Sequence, residues 1–434
     1  MTKTIQAVIL AAGESSRFWP LNYQHKSLMK IMGRPLICYL LDELKKAGIK
    51  EIVIVQKPER DIEKALKNYP YEINYVVQPE PKGMGNALWR AKPILKGPFI
   101  VLNADIVDCQ SIIKDLIRRY QKEGSKAIIV GQKTKTPQLF GMLKLKGKKV
   151  LGIVEKPKLG QEPSDIKTVV IDLLTPEFFL TYEKVPKEQD DFEKALSAYA
   201  KKVEMEVLIV KNREEEGPSF LKYPHQLFAI ERFLLSRFLV PKISKTARVS
   251  PRAIIEGKVF IGENTTIFEN AVIKGPCYIG SNCLIGSHSL VRENVNLEDN
   301  VVIGAFAEIT RSIFQEGRPI RSGFFGSTHS GYFGDSIIGP NCHFGSGIIT
   351  ANFRLDEKNI LVTVKNQKID TGSSCLGVIV GRNSYFGLHS STMPGVLIGS
   401  DCIIGPGTVV FGNVPDNSKL ITKFQTQVLK SRKT

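Results

Sequence analysis

The segment LAAGESSRFWPLNYQHK, residues 10–26, directly follows a short apolar strand predicted over Ala7–Leu10. Small side chains from Ala11 to Gly13 let backbone N–H groups of this loop approach phosphate oxygens closely. Arg17 and Lys26 add two cations where phosphoryl charge would build up. A loop of this kind after a strand predicts a binding site for a nucleoside triphosphate at the start of an α/β domain.

From residue 5 to about 228, short apolar runs alternate with amphipathic stretches. The predicted strands are Ala7–Leu10, Glu51–Val55, Ile73–Val77, Phe99–Leu102 and Ala127–Val130. The predicted helices are Leu36–Ala47, Asp61–Leu66, Gly85–Leu95 and Ser111–Tyr120. This alternation predicts a Rossmann-like α/β domain, with a largely parallel sheet covered by helices on both faces.

A different pattern begins near residue 246 and continues to about 412, where an aliphatic residue precedes glycine in a repeating phrase of six residues. The copies are Ile261-Gly262, Ile279-Gly280, Ile285-Gly286, Ile303-Gly304, Ile338-Gly339, Ile398-Gly399 and Ile404-Gly405. This period predicts a left-handed parallel β-helix whose coils stack their aliphatic residues inward. Cys283, Cys342 and Cys402 each follow such a glycine by three residues, so we interpret them as core side chains rather than reactive thiols. The repeat is interrupted over 317–334 and 351–375, which predicts loops, often on the binding face.

A chain of 434 residues is too long for one compact core. We expect an α/β domain over residues 1–228, a linker over 229–245 and a β-helix over 246–413. A basic tail would follow over 414–434. The linker begins in a predicted helix, Gln226–Leu239, which stops before Pro241.

Lys and Arg outnumber Asp and Glu by 60 to 43, for a formal net charge of +17. Dispersed basic residues without a nucleic-acid-binding motif favour phosphorylated substrates over nucleic acid. Apolar runs are too short to cross a bilayer, and the N-terminus lacks the pattern of a signal peptide, so we expect a cytoplasmic protein that binds no membrane. Seven cysteines without a C-x-x-C pair favour neither a zinc site nor a disulfide framework.

Residues 10–17, together with Pro20, Lys26 and the phrase at residues 31–37, resemble the L-A-A-G-x-G-T-R…P-K…G-x-P signature of sugar-1-phosphate nucleotidylyltransferases. The resemblance implies that an NTP and a sugar 1-phosphate are converted to an NDP-sugar and pyrophosphate with Mg²⁺. It implies catalytic roles for Arg17 and Lys26. The nucleotide-binding residues that it implies in the loop are Leu10, Ala11, Ala12 and Gly13.

Further motifs of this family follow in order. The resemblance implies that Gln78 and Gly83 belong to the loop that reads the nucleobase, and that Asp105 binds Mg²⁺ at the end of its strand. An N-cap of a helix over Val107–Ile113 is the alternative role for Asp105. The sugar-phosphate-binding residues that the resemblance implies are Gly141, Glu155 and Lys156.

Two segments depart from the family pattern. The family's N-x-G-x-Y corresponds to Thr168–Asp172, and its W-x-D-x-G, which supplies a second metal-binding acid, corresponds to Pro218–Pro224 without any acid. Loss of one carboxylate predicts weaker Mg²⁺ binding, because a hard cation prefers charged oxygens. Asp172 or one of Glu214 to Glu216 could supply the missing carboxylate.

The interruptions of the hexapeptide repeat contain a second group of polar residues: His329 and Tyr332 in the first, Asn352 and Lys358 in the second. Acyl transfer from a thioester to an amine needs a base for the ammonium proton and donors for the oxyanion. His329 fits the base, and the other three fit substrate positioning. A structural role is the alternative for a single histidine in a loop.

The phrase H-x-x-Y-x-G-D-S followed by A-N-x-R is similar to the acetyltransferase half of bifunctional enzymes, chiefly archaeal and bacterial, that build UDP-N-acetylhexosamines. The resemblance implies acetylation of an amino-sugar 1-phosphate by acetyl-CoA, with Lys423 near the coenzyme A phosphates. A solvated lysine of the tail is the alternative for Lys423. The resemblance also implies a homotrimer with the acyl site between neighbouring coils.

We therefore expect an enzyme with both activities, acetylating glucosamine or galactosamine 1-phosphate and coupling the product or a related sugar phosphate to UTP or dTTP. One alternative retains a single competent site, and another is a scaffold or sensor that binds nucleotide-sugars without turnover. A carboxylate near Asp105 would favour catalysis. An apolar lining at Phe220 would favour binding alone.

Overall fold

A computed structural model describes residues 4–188, 190–211, 221–318 and 330–425. The chain divides into two compact units. The first comprises residues 1–16, 24–30 and 34–222, and the second comprises residues 17–23, 31–33 and 223–434.

The first unit is built on a sheet of ten strands. They are β1 Gln6–Ala11, β2 Glu51–Gln56, β3 Ile73–Val77, β4 Phe99–Asn103, β5 Ala127–Lys133, β6 Gly141–Lys146, β7 Lys149–Glu155, β8 Ile166–Thr168, β9 Ile171–Leu174 and β10 Met205–Val210. Their order in the sheet is β8-β6-β7-β10-β5-β9-β4-β1-β2-β3. The five predicted strands are all present.

The described residues of this unit form six helices: α1 Leu36–Lys46, α2 Asp61–Ala65, α3 Gly83–Ala91, α4 Gln110–Glu123, α5 Phe178–Tyr182 and α6 Asp191–Tyr199. Short 3-10 turns and two-residue strands complete the two units at Ser16–Phe18, Lys26–Leu28, Lys30–Ile31, Arg34–Pro35, Lys92–Ile94, Pro137–Leu139 and Pro224–Gln226. The helix predicted over Gly85–Leu95 ends as an α-helix at Ala91 because Pro93, inside the following turn, has no N–H to donate.

The prediction of a largely parallel sheet is correct for one part of it. Strands β1, β2, β3 and β4 pair in parallel, as do β5 and β10. Strand β9 lies antiparallel to β4 and β5, and β6, β7 and β8 are also paired antiparallel. The hairpin between β6 and β7 turns at Gly147, whose φ of +61° suits glycine, and a tight hairpin requires antiparallel strands.

The second unit is a parallel β-helix with three faces. One face contains Lys242–Ile243, Val259–Ile261, Cys277–Ile279, Val295–Leu297, Ile313–Phe314, Ile337–Ile338, Ile379–Val380 and Leu397–Ile398. A second contains Arg248–Val249, Thr266–Ile267, Leu284–Ile285 and Val302–Ile303, and then His343–Phe344, Tyr385–Phe386, Ile403–Ile404 and Lys419–Leu420. The third contains Ile254–Glu256, Val272–Lys274, Leu290–Arg292, Ala307–Thr310, Gly331–Gly334, Ile348–Thr350, Ser391–Thr392 and Val409–Val410.

The interior of the β-helix is apolar, and it confirms the predicted register. Cys283, Cys342 and Cys402 are buried in one cluster with the aliphatic residues of successive coils. Asparagines turn the corners, as where Asn264 (φ +56°) donates from Nδ2 to Oδ1 of Asn282, 18 residues later and one coil above. Asparagine tolerates this left-handed backbone better than most residues.

The first interruption of the repeat, predicted over 317–334, is shorter than predicted at its C-terminal end. Gly331–Gly334 is a strand of the third face, so the first interruption ends before it. The second contains a hairpin, Leu361–Val364 paired with Gln367–Asp370, whose turn residues Lys365 and Asn366 both have positive φ. Tyr332 lies in the strand Gly331–Gly334, and Asn352 follows the strand Ile348–Thr350.

Helix α7, Leu227–Phe238, precedes the β-helix and agrees with the predicted helix to within one residue at each end. Its apolar residue Leu235 is buried with Leu239 and Tyr278. Among the residues that the structure describes, no helix is long and apolar enough to cross a membrane.

Candidate active sites

The loop after β1 presents its backbone at the surface. Leu10, Ala11 and Ala12 are buried, whereas Gly13 is exposed and no protein atom lies within 4 Å of the position a Cβ would take there. Packing within the protein therefore does not require glycine at this position, but a ligand that approaches the backbone would. Arg17 is exposed on the turn Ser16–Phe18 and belongs to the second unit.

Lys26 and Asp105 form an ion pair in the first unit. Lys26 Nζ lies 2.9 Å from Asp105 Oδ2 and donates to the carbonyl oxygen of Leu221 at 2.6 Å. The backbone N–H of Leu221 donates to the same carboxylate oxygen at 2.6 Å. The backbone N–H of Lys26 also donates to Ser15 Oγ at 3.4 Å, which connects this cluster to the phosphate loop.

Asp105 does not cap a helix, because α4 begins at Gln110 with Cys109 at its N-cap position. The alternative role considered for this residue is therefore wrong. Asp105 follows the end of β4 and is only 2% exposed, and its Oδ1 has no hydrogen-bond partner among the described residues. A buried carboxylate oxygen with free lone pairs fits one protein ligand of Mg²⁺, which commonly completes its shell with water and substrate phosphates.

The search for further metal-binding side chains beside Asp105 covers residues 4–188, 190–211, 221–318 and 330–425. No group of three or more potential metal-binding side chains occurs there. Asp172 is fully buried and its Oδ1 accepts from the Val130 N–H at 3.4 Å, within the sheet. Glu214 to Glu216 and Phe220 lie outside the described residues, so the expectation attached to them stays open.

His25 fixes the backbone that presents Lys26. Its Nδ1 accepts from the Ser27 N–H at 3.3 Å and caps the turn Lys26–Leu28. Burial is the largest cause and the neighbouring positive charge of Lys26 the next that together lower the pKa of His25 to about 3. The ring is therefore neutral at physiological pH and can keep this acceptor role.

Gln78 and Gly83 are brought together at the N-terminus of α3. Gln78 is buried, and its side-chain amide donates to the carbonyl of Gly83 at 3.2 Å and to Asn86 Oδ1 at 2.9 Å. Gly83 starts the helix with a φ of +89°, a conformation that favours glycine. These contacts hold the exposed loop between the two residues at its two ends.

The three predicted sugar-phosphate residues also lie together. Gly141 and Glu155 are paired across β6 and β7, and Lys156 Nζ lies 2.9 Å from Glu155 Oε1. The preceding residue, Phe140, has two ammonium groups over its ring, Lys167 Nζ at 4.4 Å and Lys222 Nζ at 5.6 Å from the ring centroid. Sequence reasoning did not single out these two lysines.

Tyr332 and Asn352 belong to one hydrogen-bonded network in the β-helix. Asn352 Nδ2 donates to Asp335 Oδ2 at 2.6 Å, and Tyr332 shares a side-chain hydrogen bond with Asn352. Arg311 donates to both oxygens of Asp335, at 2.8 and 2.9 Å. Bidentate pairs of this kind fix geometry as well as charge. Burial raises the pKa of Tyr332, so its hydroxyl stays protonated.

The remaining predicted residues of this half are less constrained. Lys358 and Lys423 are exposed, and the structure gives neither side chain a hydrogen bond to the network around Asp335. His329 lies outside the described residues. The chain continues from Ser330, whose Oγ lies 2.7 Å from Ser346 Oγ and whose carbonyl accepts from the Gly347 N–H.

Comparisons with known proteins match both halves of the chain to transferase families. A family model described as nucleotidyl transferase matches residues 6–215, and models of transferase hexapeptide repeats match residues 258–293, 276–311 and 377–411. The chain is 36% identical to the bifunctional protein GlmU of Methanococcus maripaludis strain C7, over 99% of this chain and 100% of that protein. The chain belongs to the bifunctional GlmU family.

A second relative of the GlmU family is the bifunctional sugar-1-phosphate nucleotidylyltransferase/acetyltransferase of Sulfurisphaera tokodaii. It is 31% identical over 94% of this chain and 97% of its own length. The GlmU protein of Methanocaldococcus jannaschii is 29% identical over 95% of this chain. The predicted architecture, a nucleotidyltransferase domain followed by a left-handed β-helix, is confirmed, and so is the assignment to an enzyme family with two transferase halves.

In this member of the GlmU family, sequence reasoning missed Arg311 and Asp335. Asp335 stands inside the quoted motif at residues 329–336, so the signal was present. Arg311 precedes it by 24 residues, and the two become neighbours because that coil of the β-helix is longer than the usual 18. The usual spacing of 18 residues therefore does not identify this pair from the sequence.

Proposed function

We propose that the first half couples UTP or dTTP to a sugar 1-phosphate with release of pyrophosphate, and that the β-helix acetylates an amino-sugar 1-phosphate with acetyl-CoA. Two networks in one chain carry this proposal, namely Lys26 with Asp105 and Tyr332 with Asn352 and Asp335. We also propose that the enzyme is a cytoplasmic homotrimer, as expected for its family.

In the nucleotidyl reaction, a phosphate oxygen of the sugar 1-phosphate attacks the α-phosphorus, and the bond to the leaving pyrophosphate breaks. Lys26 places its ammonium 2.9 Å from Asp105 and can neutralise phosphoryl charge beside it. Bound Mg²⁺ would neutralise phosphate oxygens, and Asp105 Oδ1 is the protein atom that would hold it. Gln78 and Gly83 shape the nucleobase loop, while Gly141, Glu155 and Lys156 receive the sugar phosphate.

In the acetyl transfer, the amine attacks the thioester carbonyl, the C–N bond forms and the C–S bond breaks. His329 takes the proton that the attacking ammonium loses, and the departing thiolate of coenzyme A takes up a proton. Asp335 positions Asn352, which lies 2.6 Å away and shares a hydrogen bond with Tyr332. Lys358 and Lys423 supply cations for the phosphates of the two substrates.

The proposal is tested with purified protein, UTP or dTTP, Mg²⁺ and several sugar 1-phosphates, with and without acetyl-CoA. Pyrophosphate release and free coenzyme A thiol are followed on the same preparation. The proposal predicts both products. Coenzyme A release without pyrophosphate would leave only the acetyltransferase, and nucleotide-sugar binding without either product would support the scaffold alternative.

A further inference from the structure

Two short pieces of the nucleotidyl signature belong to the same unit as the β-helix. Residues 17–23 contain Arg17, and residues 31–33 contain the glycine of the G-x-P phrase, and both segments are part of the second unit. Residues 24–30, which contain Lys26, belong to the first unit. The contacts that the two segments make within the second unit therefore hold the chain before and after Lys26.

Trp19, in the first of these segments, is bound by a carboxylate of the β-helix. Its indole N–H donates to Asp416, with Nε1 3.2 Å from Oδ2 and 3.3 Å from Oδ1. The coil in turn holds Asp416, because the backbone N–H of Ser400 donates to its Oδ1 at 2.6 Å. An anchored carboxylate can fix the indole, and Trp19 stands only two residues from Arg17.

The backbone around Trp19 forms a closed turn. The N–H of Leu21 donates to the carbonyl of Phe18 at 2.9 Å, and both of these side chains are buried. At the end of the segment, the guanidinium of Arg382 lies 5.8 Å from the ring centroid of Tyr23. Because the dihedral angles of its central residues define such a turn, a shift of the indole also shifts the backbone beside Arg17.

The second segment is held in a similar way. The Met32 N–H donates to Asn296 Oδ1 at 2.8 Å, and the Gly33 N–H donates to Glu298 Oε2 at 3.0 Å. Met32 and Gly33 have φ of +52° and +75°, which is uncommon for methionine. The contacts with Asn296 and Glu298 stabilise this turn.

Asn296 and Glu298 are polar side chains that are almost completely buried, at 0% and 1% exposure. Val295 and Leu297 belong to the apolar core of the coil, so Asn296 points out of the coil between them. Asn296 Nδ2 donates to Glu298 Oε1 at 2.8 Å, which connects the two acceptors. Directional hydrogen bonds to backbone N–H groups specify the geometry of the turn, and a buried carboxylate requires such donors.

We propose that Asp416 of the β-helix is a positioning residue for the nucleotidyl reaction, acting through Trp19 on the loop that carries Arg17. The inference rests on the proposed nucleotidyl function and adds to it a residue from the acetyltransferase half of the chain. The turn at Met32 and Gly33 is the second point at which the β-helix holds the signature. The β-helix then serves both reactions.

A contribution to stability alone is the alternative role of the contact between Trp19 and Asp416. Asp416 is exposed, and substitutions of exposed residues usually change stability little. Misplacement of a catalytic group by about 1 Å, in contrast, costs up to 10²-fold in rate. The two roles therefore predict different losses of pyrophosphate release in a protein that remains folded.

The first test uses full-length Trp19→Phe protein. This change removes the indole N–H and leaves Asp416 and the coil intact, so kcat/KM of pyrophosphate release for UTP should fall about tenfold. Coenzyme A release by the same preparation should stay at the native value. Trp89→Phe replaces the other of the two tryptophans and should change neither reaction.

The second test substitutes Asp416. Asp416→Ala should reduce pyrophosphate release as much as Trp19→Phe does, whereas Asp416→Asn retains an oxygen acceptor and should keep most of the activity. The double variant should lose no more than either single variant, because both changes remove the same contact. Asp401→Ala, the control, removes an exposed carboxylate that accepts from Asn383 Nδ2 at 3.0 Å.

A native kcat/KM in Trp19→Phe, or a loss in the double variant equal to the product of the single losses, would overturn the inference and leave the proposed function intact. An equal fall of coenzyme A release in Trp19→Phe would also overturn it, since general damage would then explain the loss. If the native protein releases no pyrophosphate with any sugar 1-phosphate, the proposed function fails. Calorimetric binding of UTP with Mg²⁺ then decides, because weaker binding by Trp19→Phe supports the inference and equal affinities overturn it.

Discussion

Asp105 and Asp335 are both buried aspartates, with 2% and 8% of their surface exposed respectively, but their hydrogen-bond partners differ. Asp105 uses one oxygen for Lys26 and the Leu221 N–H and leaves the other without a partner in the described chain. Asp335 has both oxygens bound by Arg311, and one of them by Asn352 as well. The first carboxylate can still accept a ligand, whereas the second is saturated by the protein.

This difference indicates that the two carboxylates have different roles, one in contact with ligands and the other in positioning side chains. A carboxylate with a free buried oxygen is suited to contact a metal ion or reacting phosphates directly. A carboxylate saturated by an arginine and an amide holds other side chains in place, and Asp335 is therefore a positioning residue for Asn352 and Tyr332. Substitution of the two aspartates should consequently affect different reactions by different amounts.

The largest effect is expected for substitution of the proposed general base in the β-helix, His329. His329→Ala should reduce acetyl transfer by about 10²–10⁴-fold, the usual contribution of a positioned general base. Coenzyme A release measures this loss, and pyrophosphate release from the same preparation should stay unchanged. Full acetylation by His329→Ala would show that another group takes the proton.

Asp105→Asn should reduce pyrophosphate release by about 10²–10³-fold, because the site loses a charge on which its electrostatics depend. Acetyl transfer by the same variant should be unaffected. Asp115→Asn, an exposed change on α4 with the same chemistry, serves as the control. Normal pyrophosphate release by Asp105→Asn would remove this residue from the active site.

Asp335→Asn should have a smaller effect, about 10–10²-fold on acetyl transfer, because misplacement of Asn352 by about 1 Å already costs up to 10²-fold. The expected loss is mainly in kcat, with the pH profile of His329 retained. A control, Asn359→Ala, removes an exposed amide of the same insertion. If Asp335→Asn abolished the reaction as completely as His329→Ala, a positioning role would be insufficient.

The smallest effect concerns stability. The folded protein keeps Asp172 protonated up to a pKa of about 8, while the unfolded chain releases that proton near pH 4. The free energy of unfolding therefore falls as pH rises from about 4 to 8. Asp172→Asn removes this cost and should stabilise the protein by on the order of 1–3 kcal/mol at pH 8 and by less at pH 5.

Denaturant unfolding of native and Asp172→Asn protein at the two pH values measures this difference. Destabilisation at pH 8, or an equal change at both pH values, would contradict the assigned protonation of Asp172. Asp115→Asn again provides the matched control, since its carboxyl is exposed and paired with Arg118 at the surface.

Much of this architecture could be predicted from the sequence because it rests on periodicity. The hexapeptide phrase predicted that Cys283 and Cys342 lie in the β-helix core, as the structure shows. The contact of Lys26 with Asp105 was not predicted and is seen only in the fold. Strands β6 to β10 escaped prediction, since an antiparallel hairpin such as the one at Gly147 depends on pairing between segments rather than on local pattern.

The candidate sites were predicted where motifs carried them and missed where the fold created them. Asp105, Gly141 and Glu155 stand in recognisable phrases. Arg311 does not, because it reaches Asp335 through a coil length that only the folded chain provides.

The most direct test of whether one chain has two active sites is to follow a single reaction mixture by ³¹P NMR. The native protein is mixed with glucosamine 1-phosphate, acetyl-CoA, UTP and Mg²⁺, and the phosphorus signals of sugar phosphate, nucleotide-sugar and pyrophosphate are recorded over time. We predict that nucleotide-sugar and pyrophosphate appear in equal amounts while coenzyme A is released. Accumulation of acetylated sugar phosphate without pyrophosphate, or an unchanged mixture, would contradict this account.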